Sequence, residues 1–217
     1  MVLKTIILDF DGVILESVSV KTEAFRVLFS FVPEHVDDIV QFHKDNGGMS
    51  RFDKFQHIYK NILQEDLTQK KFEELSEKFA AIVFKEVIKA PFVPGAHEFL
   101  ETYHTKIPLY VVSATPEEEL IQIIRERKMS HYFRMVFGAP RKKSECINEI
   151  VKLTVSPPES VIFVGDAKND FEAARAAGVL FIGRVKKGDE NRFSGLIGVE
   201  AVIPDLHELA RYIEVHQ

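Results

Sequence analysis

Short apolar runs recur along the chain and predict strands that are buried on both faces of a sheet. They lie at residues 5–8, 109–112, 135–137, 161–164 and 179–182. Between the later runs, residues 116–128, 143–153 and 169–177 form segments that are long enough for crossover helices. Gly178 follows the last segment, where a helix stop is expected. This alternation predicts an α/β fold with a doubly wound parallel sheet.

One long interval breaks the alternation. From about residue 17 to residue 89 the apolar positions have helical spacing, as in Phe72, Leu75 and Phe79. Proline and glycine at residues 90–95 end this pattern. We therefore predict an α/β core domain over residues 1–14 and 92–217, and an inserted α-helical cap domain over residues 15–91.

Composition narrows the class of protein. The 217 residues suit one core domain plus an insertion. The net charge of −5 argues against the basic field that binds nucleic acid or anionic membranes, and no apolar stretch is long enough to span a bilayer. The single cysteine, Cys146, indicates a reducing compartment. We expect a cytoplasmic protein with no nucleic-acid or membrane partner; whether it is a monomer or a homodimer stays open.

Polar residues follow the predicted strands at the sheet edge where ligands of doubly wound folds bind. The acids are Asp9, Asp11, Asp166 and Asp170, and the other candidates are Ser113, Ala114 and Lys143. Four carboxylates at one edge repel one another unless a cation neutralises them. Oxygen ligands without histidine or cysteine favour Mg²⁺ as the cofactor.

Each of these motifs also has a purely structural interpretation. Asp-x-Asp-Gly at residues 9–12 is compatible with a turn, and residues 165–170 with a loop and a helix N-cap. An EF-hand is excluded, because Gly12 is fourth in the segment and Val20 stands where a glutamate is needed.

A cation and hydroxyl could anchor a phosphate beside the acids. Lys143, or alternatively Lys142, supplies the charge, and Ser113 supplies a hydroxyl next to the Ala114 amide. The alternative is a solvated basic stretch and an ordinary loop serine.

In this order the motifs resemble the haloacid dehalogenase superfamily, in the branch with a helical cap inserted after the first motif. The resemblance covers nearly the whole chain and implies a Rossmann-like core. It assigns Asp9 and Asp11 to the first motif, Ser113 to the second, Lys143 to the third, and Asp166 with Asp170 to the fourth.

The resemblance also implies a mechanism. Asp9 would attack phosphorus, and Asp11 would act as acid and then as base, which requires a raised pKa. Mg²⁺ would lie between Asp9, the Asp11 carbonyl and Asp166, with Asp170 either a ligand or a residue that orients the ligands. Asp11 favours phosphate esters over carbon–halogen bonds as substrates.

Two resemblances within the branch bear on the substrate. Residues 165–178 are similar to phosphoglycolate phosphatase, whereas Gly-Met-Ser-Arg at residues 48–51 resembles the cap of β-phosphoglucomutase. Arg51 could then bind a second phosphate or a carboxylate, or it could be solvated at a helix start capped by Ser50. We predict a Mg²⁺-dependent phosphatase acting on a small phosphorylated metabolite. The alternatives are a phosphosugar mutase and, ranked below it, a non-catalytic binding protein.

Overall fold

The computed structural model describes residues 3–216, which contain a six-stranded parallel sheet. The strands are β1 Thr5–Leu8, β2 Leu109–Pro116, β3 Met135–Ala139, β4 Val161–Gly165, β5 Leu180–Arg184 and β6 Ala201–Ile203. Their order across the sheet is β3-β2-β1-β4-β5-β6. The order reverses at β1, the position at which doubly wound folds bind ligands. All five predicted strands are confirmed, and β6 is an additional edge strand.

Helices cover both faces of the sheet. Those of the core are α5 Ala96–Tyr103, α6 Glu117–Glu126, α7 Lys143–Thr154, α8 Lys168–Ala177 and α9 Leu206–His216. Side chains alternate along β1, so that Ile6 and Leu8 pack on one face and Ile7 on the other. Within residues 3–216, no helix combines the length and apolar character that a membrane crossing requires.

The interval between β1 and α5 is helical, as predicted. Its helices are α1 Val18–Leu28, α2 Val36–Asp45, α3 Arg51–His57, the π-helix Ile58–Leu63 and α4 Gln69–Lys89. A cluster of phenylalanines fills the interior of this cap. Phe25 packs against Phe55 and Phe79 with ring centroids 5.9 and 4.9 Å apart, and Phe29 completes the cluster. All four rings are buried, and Phe25 and Phe79 also line the cavity described below.

Two chain segments connect the cap to the core, and they lie side by side. Leu15 forms an antiparallel bridge with Phe92, and the Glu16 amide donates to the Pro91 carbonyl at 2.9 Å. Arg184, at the end of β5, forms an ion pair with Glu16. The cap is thus joined to the sheet close to the end of β1. The exact domain boundaries at residues 14/15 and 91/92 stay a prediction.

Candidate active site

The sheet edge brings a lysine between two buried aspartates. Lys143, the first residue of α7, places its Nζ atom 2.7 Å from Asp9 Oδ2 and 2.5 Å from Asp170 Oδ1. All three side chains are less than a tenth exposed. Lys142 is exposed. Of the two lysines considered from the sequence, the structure therefore brings Lys143 to the acids.

Three acids form a cluster at this edge. One carboxylate oxygen each from Asp9, Asp166 and Asp170 lies within 4.8 Å of the others. Both oxygens of Asp170 are already engaged, since Oδ1 pairs with Lys143 and Oδ2 accepts from the amides of Asp166 and Ala167 at 3.1 and 3.0 Å. Asp170 therefore orients the loop after β4. This leaves Asp9 and Asp166 as the side chains better placed to face a cation.

The electrostatics of this cluster fit a bound cation. Burial raises the pKa of Asp9 well above its usual range although Lys143 lowers it, and the charges of Asp170 and Asp166 raise it further. Burial and then the Asp170 charge raise the pKa of Asp166 to about 7. A Cβ atom at Gly12 would lie 2.4 Å from Asp166 Oδ2, so the glycine makes room for this carboxylate. Hard oxygen ligands under mutual repulsion suit Mg²⁺.

Asp11 has different surroundings. Ser17 Oγ donates to its Oδ1 at 2.6 Å, Thr115 Oγ1 donates to its Oδ2 at 2.9 Å, and Lys21 forms an ion pair with it. Burial raises the pKa of Asp11, but the charge and hydrogen bond of Lys21 and the two hydroxyl donors lower it more, so that the net shift is downward. The predicted raised pKa is therefore wrong for this arrangement, because the donors stabilise the carboxylate.

The side chain of Asp11 also lies outside the three-acid cluster. Its predicted part in metal binding can therefore come only from its main-chain carbonyl, as the family resemblance implied, and this stays a prediction.

The end of β2 carries the predicted phosphate anchor. Ser113 is buried, and its Oγ accepts from the Thr115 amide at 3.1 Å. Ser113 and Ala114 both line a cavity that Asp9, Asp11 and Asp166 also line. Their role in holding phosphate stays a prediction, and the geometry allows it.

This cavity lies between the sheet edge and the cap and contains about 750 Å³ of space free of protein atoms, part of it open to solvent. Arg51 lines it from the cap and is 7% exposed, so the solvated alternative for Arg51 is wrong. The Nη2 atom of Arg51 pairs with Glu119 on α6, and its Nη1 is buried with no hydrogen-bond partner among residues 3–216. Ser50 is nevertheless the N-cap of α3, because its Oγ accepts from the Asp53 amide at 3.2 Å.

A family model described as haloacid dehalogenase-like hydrolase matches residues 6–184 of the chain. The chain belongs to the haloacid dehalogenase-like hydrolase family. This confirms the resemblance drawn from the four motifs. It also confirms that the protein is a hydrolase.

Relatives of this haloacid dehalogenase-like hydrolase include phosphatases. A phosphorylated carbohydrates phosphatase of Thermotoga maritima is 28% identical over 184 residues, which cover 82% of each protein. A phosphoglycolate phosphatase of Pseudomonas fluorescens is 32% identical over 92 residues, which cover 40% of this chain and 34% of that relative. A hydrolase structure from Pseudomonas syringae aligns with a TM-score of 0.79 at 20% identity, covering 97% of this chain and 99% of that one. This last likeness shows the shared fold.

Several side chains at the site of this haloacid dehalogenase-like hydrolase were not predicted from the sequence. They are Lys21, His43, Lys54, Thr115 and Glu119. One of them had a usable signal, because Lys54 follows Arg51 by three residues, which places both on one side of a helix. His43 and Glu119 reach the cavity through the packing of the cap on the core, for which the sequence gives no local signal.

Proposed function

We propose that the protein is a Mg²⁺-dependent phosphatase that hydrolyses a small phosphorylated metabolite through a phosphoryl group carried on Asp9. The observation that carries this proposal is the contact of Lys143 with Asp9 and Asp170, beside Asp166, at a sheet edge where Asp9 and Asp166 line a cavity. A carboxylate nucleophile, a cation beside it and an acidic cluster are the parts that phosphoryl transfer to an aspartate needs. A sugar phosphate or a phosphoglycolate-like ester is the proposed substrate, because the relatives described above act on such compounds.

In the first step, an Asp9 oxygen attacks phosphorus and the ester P–O bond breaks. Asp11 gives a proton to the leaving alkoxide. Ser113 and the Ala114 amide donate hydrogen bonds to the transferred group, and the charge of Lys143 offsets its negative charge. Mg²⁺ held by Asp9, Asp166 and the main-chain carbonyl of Asp11 would offset the repulsion between nucleophile and phosphate.

In the second step, water attacks the phosphorus of the acyl phosphate and Asp9 is released. Asp11 removes the proton from that water. The lowered pKa of Asp11 suits this base role, because the carboxylate form is populated. In the first step Asp11 must carry a proton, so its ion pair with Lys21 has to loosen when substrate binds.

The test is phosphate release from an aryl phosphate and a phosphosugar panel, with and without Mg²⁺. We expect Mg²⁺-dependent release and a loss of roughly 1000-fold or more in Asp9→Asn. Asp38→Asn is the matched control, since Asp38 is exposed on the cap. If pure wild-type protein releases no phosphate at any Mg²⁺ concentration, the proposal is refuted.

One observation favours the mutase alternative: Arg51 lines the cavity, and its buried Nη1 atom has no hydrogen-bond partner among residues 3–216. Interconversion of phosphosugar isomers, stimulated by a bisphosphate sugar, would support a mutase, and net phosphate release alone would count against it. A non-catalytic binding protein becomes the better account only if Asp9→Asn leaves every measured property unchanged. The cytoplasmic location stays a prediction.

A further inference from the structure

The cap buries a lysine that has no acidic partner among the described residues. Lys54 on α3 is 2% exposed and lines the cavity. Among residues 3–216, its hydrogen-bond partners both belong to His43, at 2.9 Å to Nδ1 and 3.4 Å to the carbonyl oxygen. Neither partner is a carboxylate. Burying a cation in this way is costly unless something else supplies negative charge.

His43 cannot supply that charge. It is buried and stacks on Phe25 with ring centroids 4.4 Å apart. Burial and the neighbouring Lys54 charge lower the pKa of His43 to about 3, so that the ring is neutral at physiological pH. A neutral His43 accepts a hydrogen bond from the Lys54 ammonium and orients it without neutralising it. Burial, and then the charge of Lys21, also lower the pKa of Lys54 to about 7.

Arg51, one helical turn away, has an unsatisfied donor. Glu119 neutralises its charge through Nη2, but Nη1 stays buried and without a partner among the described residues. Since Arg51 and Lys54 are three apart on α3 and line one cavity, they can contact one ligand group. An anionic oxygen accepting from both would satisfy the orphaned Nη1 and the Lys54 ammonium together.

The other cationic side chains that line this cavity are either paired with an acid or exposed to solvent. Lys21 is paired with Asp11, and Lys44 is exposed. Arg192 is exposed, with a guanidinium nitrogen 3.9 Å from Asp189. Lys54 is therefore the buried cation of the cavity whose partners among residues 3–216 include no acid.

We propose that Lys54, oriented by His43, determines specificity by binding a second anionic group of the substrate together with Arg51 Nη1. The group is a carboxylate or a second phosphate, carried on the part of the substrate that faces the cap while the transferred phosphoryl group faces Asp9. This inference rests on the proposed phosphatase function and narrows its substrate class to phosphate esters with two anionic ends.

The experiment compares Lys54→Met with Lys60→Met in the full-length protein with Mg²⁺. Lys60 is exposed on the same cap, so the second variant controls for loss of one positive charge. The substrates are phenyl phosphate, an aldose monophosphate, a phosphorylated carboxylic acid and a sugar bisphosphate. Lys54→Gln, which keeps a polar donor without the charge, replaces Lys54→Met if that variant does not fold.

Wild type should prefer one of the two substrates that carry a second anionic group, the phosphorylated acid or the sugar bisphosphate. This preference should depend on Lys54. In Lys54→Met, kcat/KM for the preferred substrate should fall about 10- to 100-fold, mainly through KM. Activity on phenyl phosphate should change less than about 3-fold, as should every activity of Lys60→Met. A loss confined to the phosphorylated acid identifies a carboxylate, and a loss confined to the bisphosphate identifies a second phosphate.

Two outcomes would overturn the inference while leaving the phosphatase proposal intact. One is a wild-type enzyme that hydrolyses phenyl phosphate and shows no preference for a second anionic group. The other is an equal loss on all substrates in Lys54→Met, which would indicate a structural role.

Discussion

Asp9 and Asp11, at the end of β1, have opposite environments, although only Phe10 separates them in the chain. Asp9 faces other carboxylates and one lysine, whereas Asp11 is held by two hydroxyl groups and by Lys21. Burial, and then the charges of the neighbouring acids, raise the pKa of Asp9 against Lys143, whereas Lys21 and the hydroxyl donors outweigh burial and lower the pKa of Asp11. The proposed roles need the opposite protonation states: Asp9 must be ionised to act as nucleophile, which a cation bound beside it would favour, and Asp11 must gain a proton before it can act as acid.

The first prediction concerns the proton that Asp11 donates. An aryl leaving group such as 4-nitrophenolate departs without a proton, whereas an alkoxide needs one. In Asp11→Asn, the first-turnover rate should therefore fall about 100- to 10,000-fold with an alkyl phosphate, and far less with 4-nitrophenyl phosphate. Rapid-quench measurements on both esters check this, with Asp38→Asn as the control. Equal losses on the two esters would remove Asp11 from the acid role.

A second prediction at the residue scale concerns the stability cost of Lys54. Its pKa is about 7 in the folded protein, against roughly 10.4 in an unfolded chain. Between these values the unfolded state binds more protons, so stability rises with pH from about 7 to about 10. Below about pH 7 the penalty is constant. The charged groups that act on Lys54 are Lys21, Asp11, Asp166 and Lys143.

Lys54→Met removes this penalty. The variant should be more stable than wild type by roughly 1 kcal/mol or more at pH 7, and the difference should shrink toward pH 10. Urea unfolding at both pH values measures it, with Lys60→Met as the control. A wild type that is more stable than Lys54→Met at pH 7 would show that Lys54 is adequately compensated within the fold.

Sequence patterns located the core residues of the site better than those of the cap. Asp9, Lys143 and Asp166 follow strands and Ser113 lies in the C-terminal half of β2, and parallel strands end at one edge whatever the details of packing. Lys54 and His43 come together from two cap helices, a contact that depends on tertiary packing. For that reason the pattern of either helix alone could not reveal the pair.

At the scale of strands and helices, the core was again predicted in more detail than the cap. Buried strands were predicted because continuous apolar runs have one interpretation in an alternating chain, while β6 was missed because it has three residues and Val202 is exposed. The helical period predicted the cap as helical but not its division into separate helices. That division depends on turns and caps, among them the Ser50 N-cap at which α3 starts.

At the scale of the whole molecule, an ion pair joins the cap to the core across the cavity. Arg51 belongs to α3 of the cap and Glu119 to α6 of the core, and both side chains are largely buried. A charge-assisted hydrogen bond of this kind stabilises the packing of the cap on the core by about 1.5 to 3 kcal/mol. Because both residues also line the cavity, the position of the cap affects the shape of the cavity in which the proposed substrate binds.

Removing this pair should loosen the cap. In Glu119→Gln, amide hydrogen exchange in α3 should accelerate about 10-fold, because opening costs less free energy. Glu118→Gln is the matched control, since Glu118 is exposed on the same helix. Exchange in α3 that is the same in both variants would mean that Arg51 and Glu119 do not hold the cap.

The central claim is that Asp9 carries the phosphoryl group during turnover. The direct measurement is an acid-quenched reaction of the Asp11→Asn protein with 4-nitrophenyl phosphate and Mg²⁺, followed by pepsin digestion and mass spectrometry. Loss of the base should slow hydrolysis of the intermediate, so that it accumulates. We predict one phosphoryl group on Asp9, and none when Asp9→Asn is added. Phosphate release with no adduct on Asp9, or an adduct on another residue, would contradict the account.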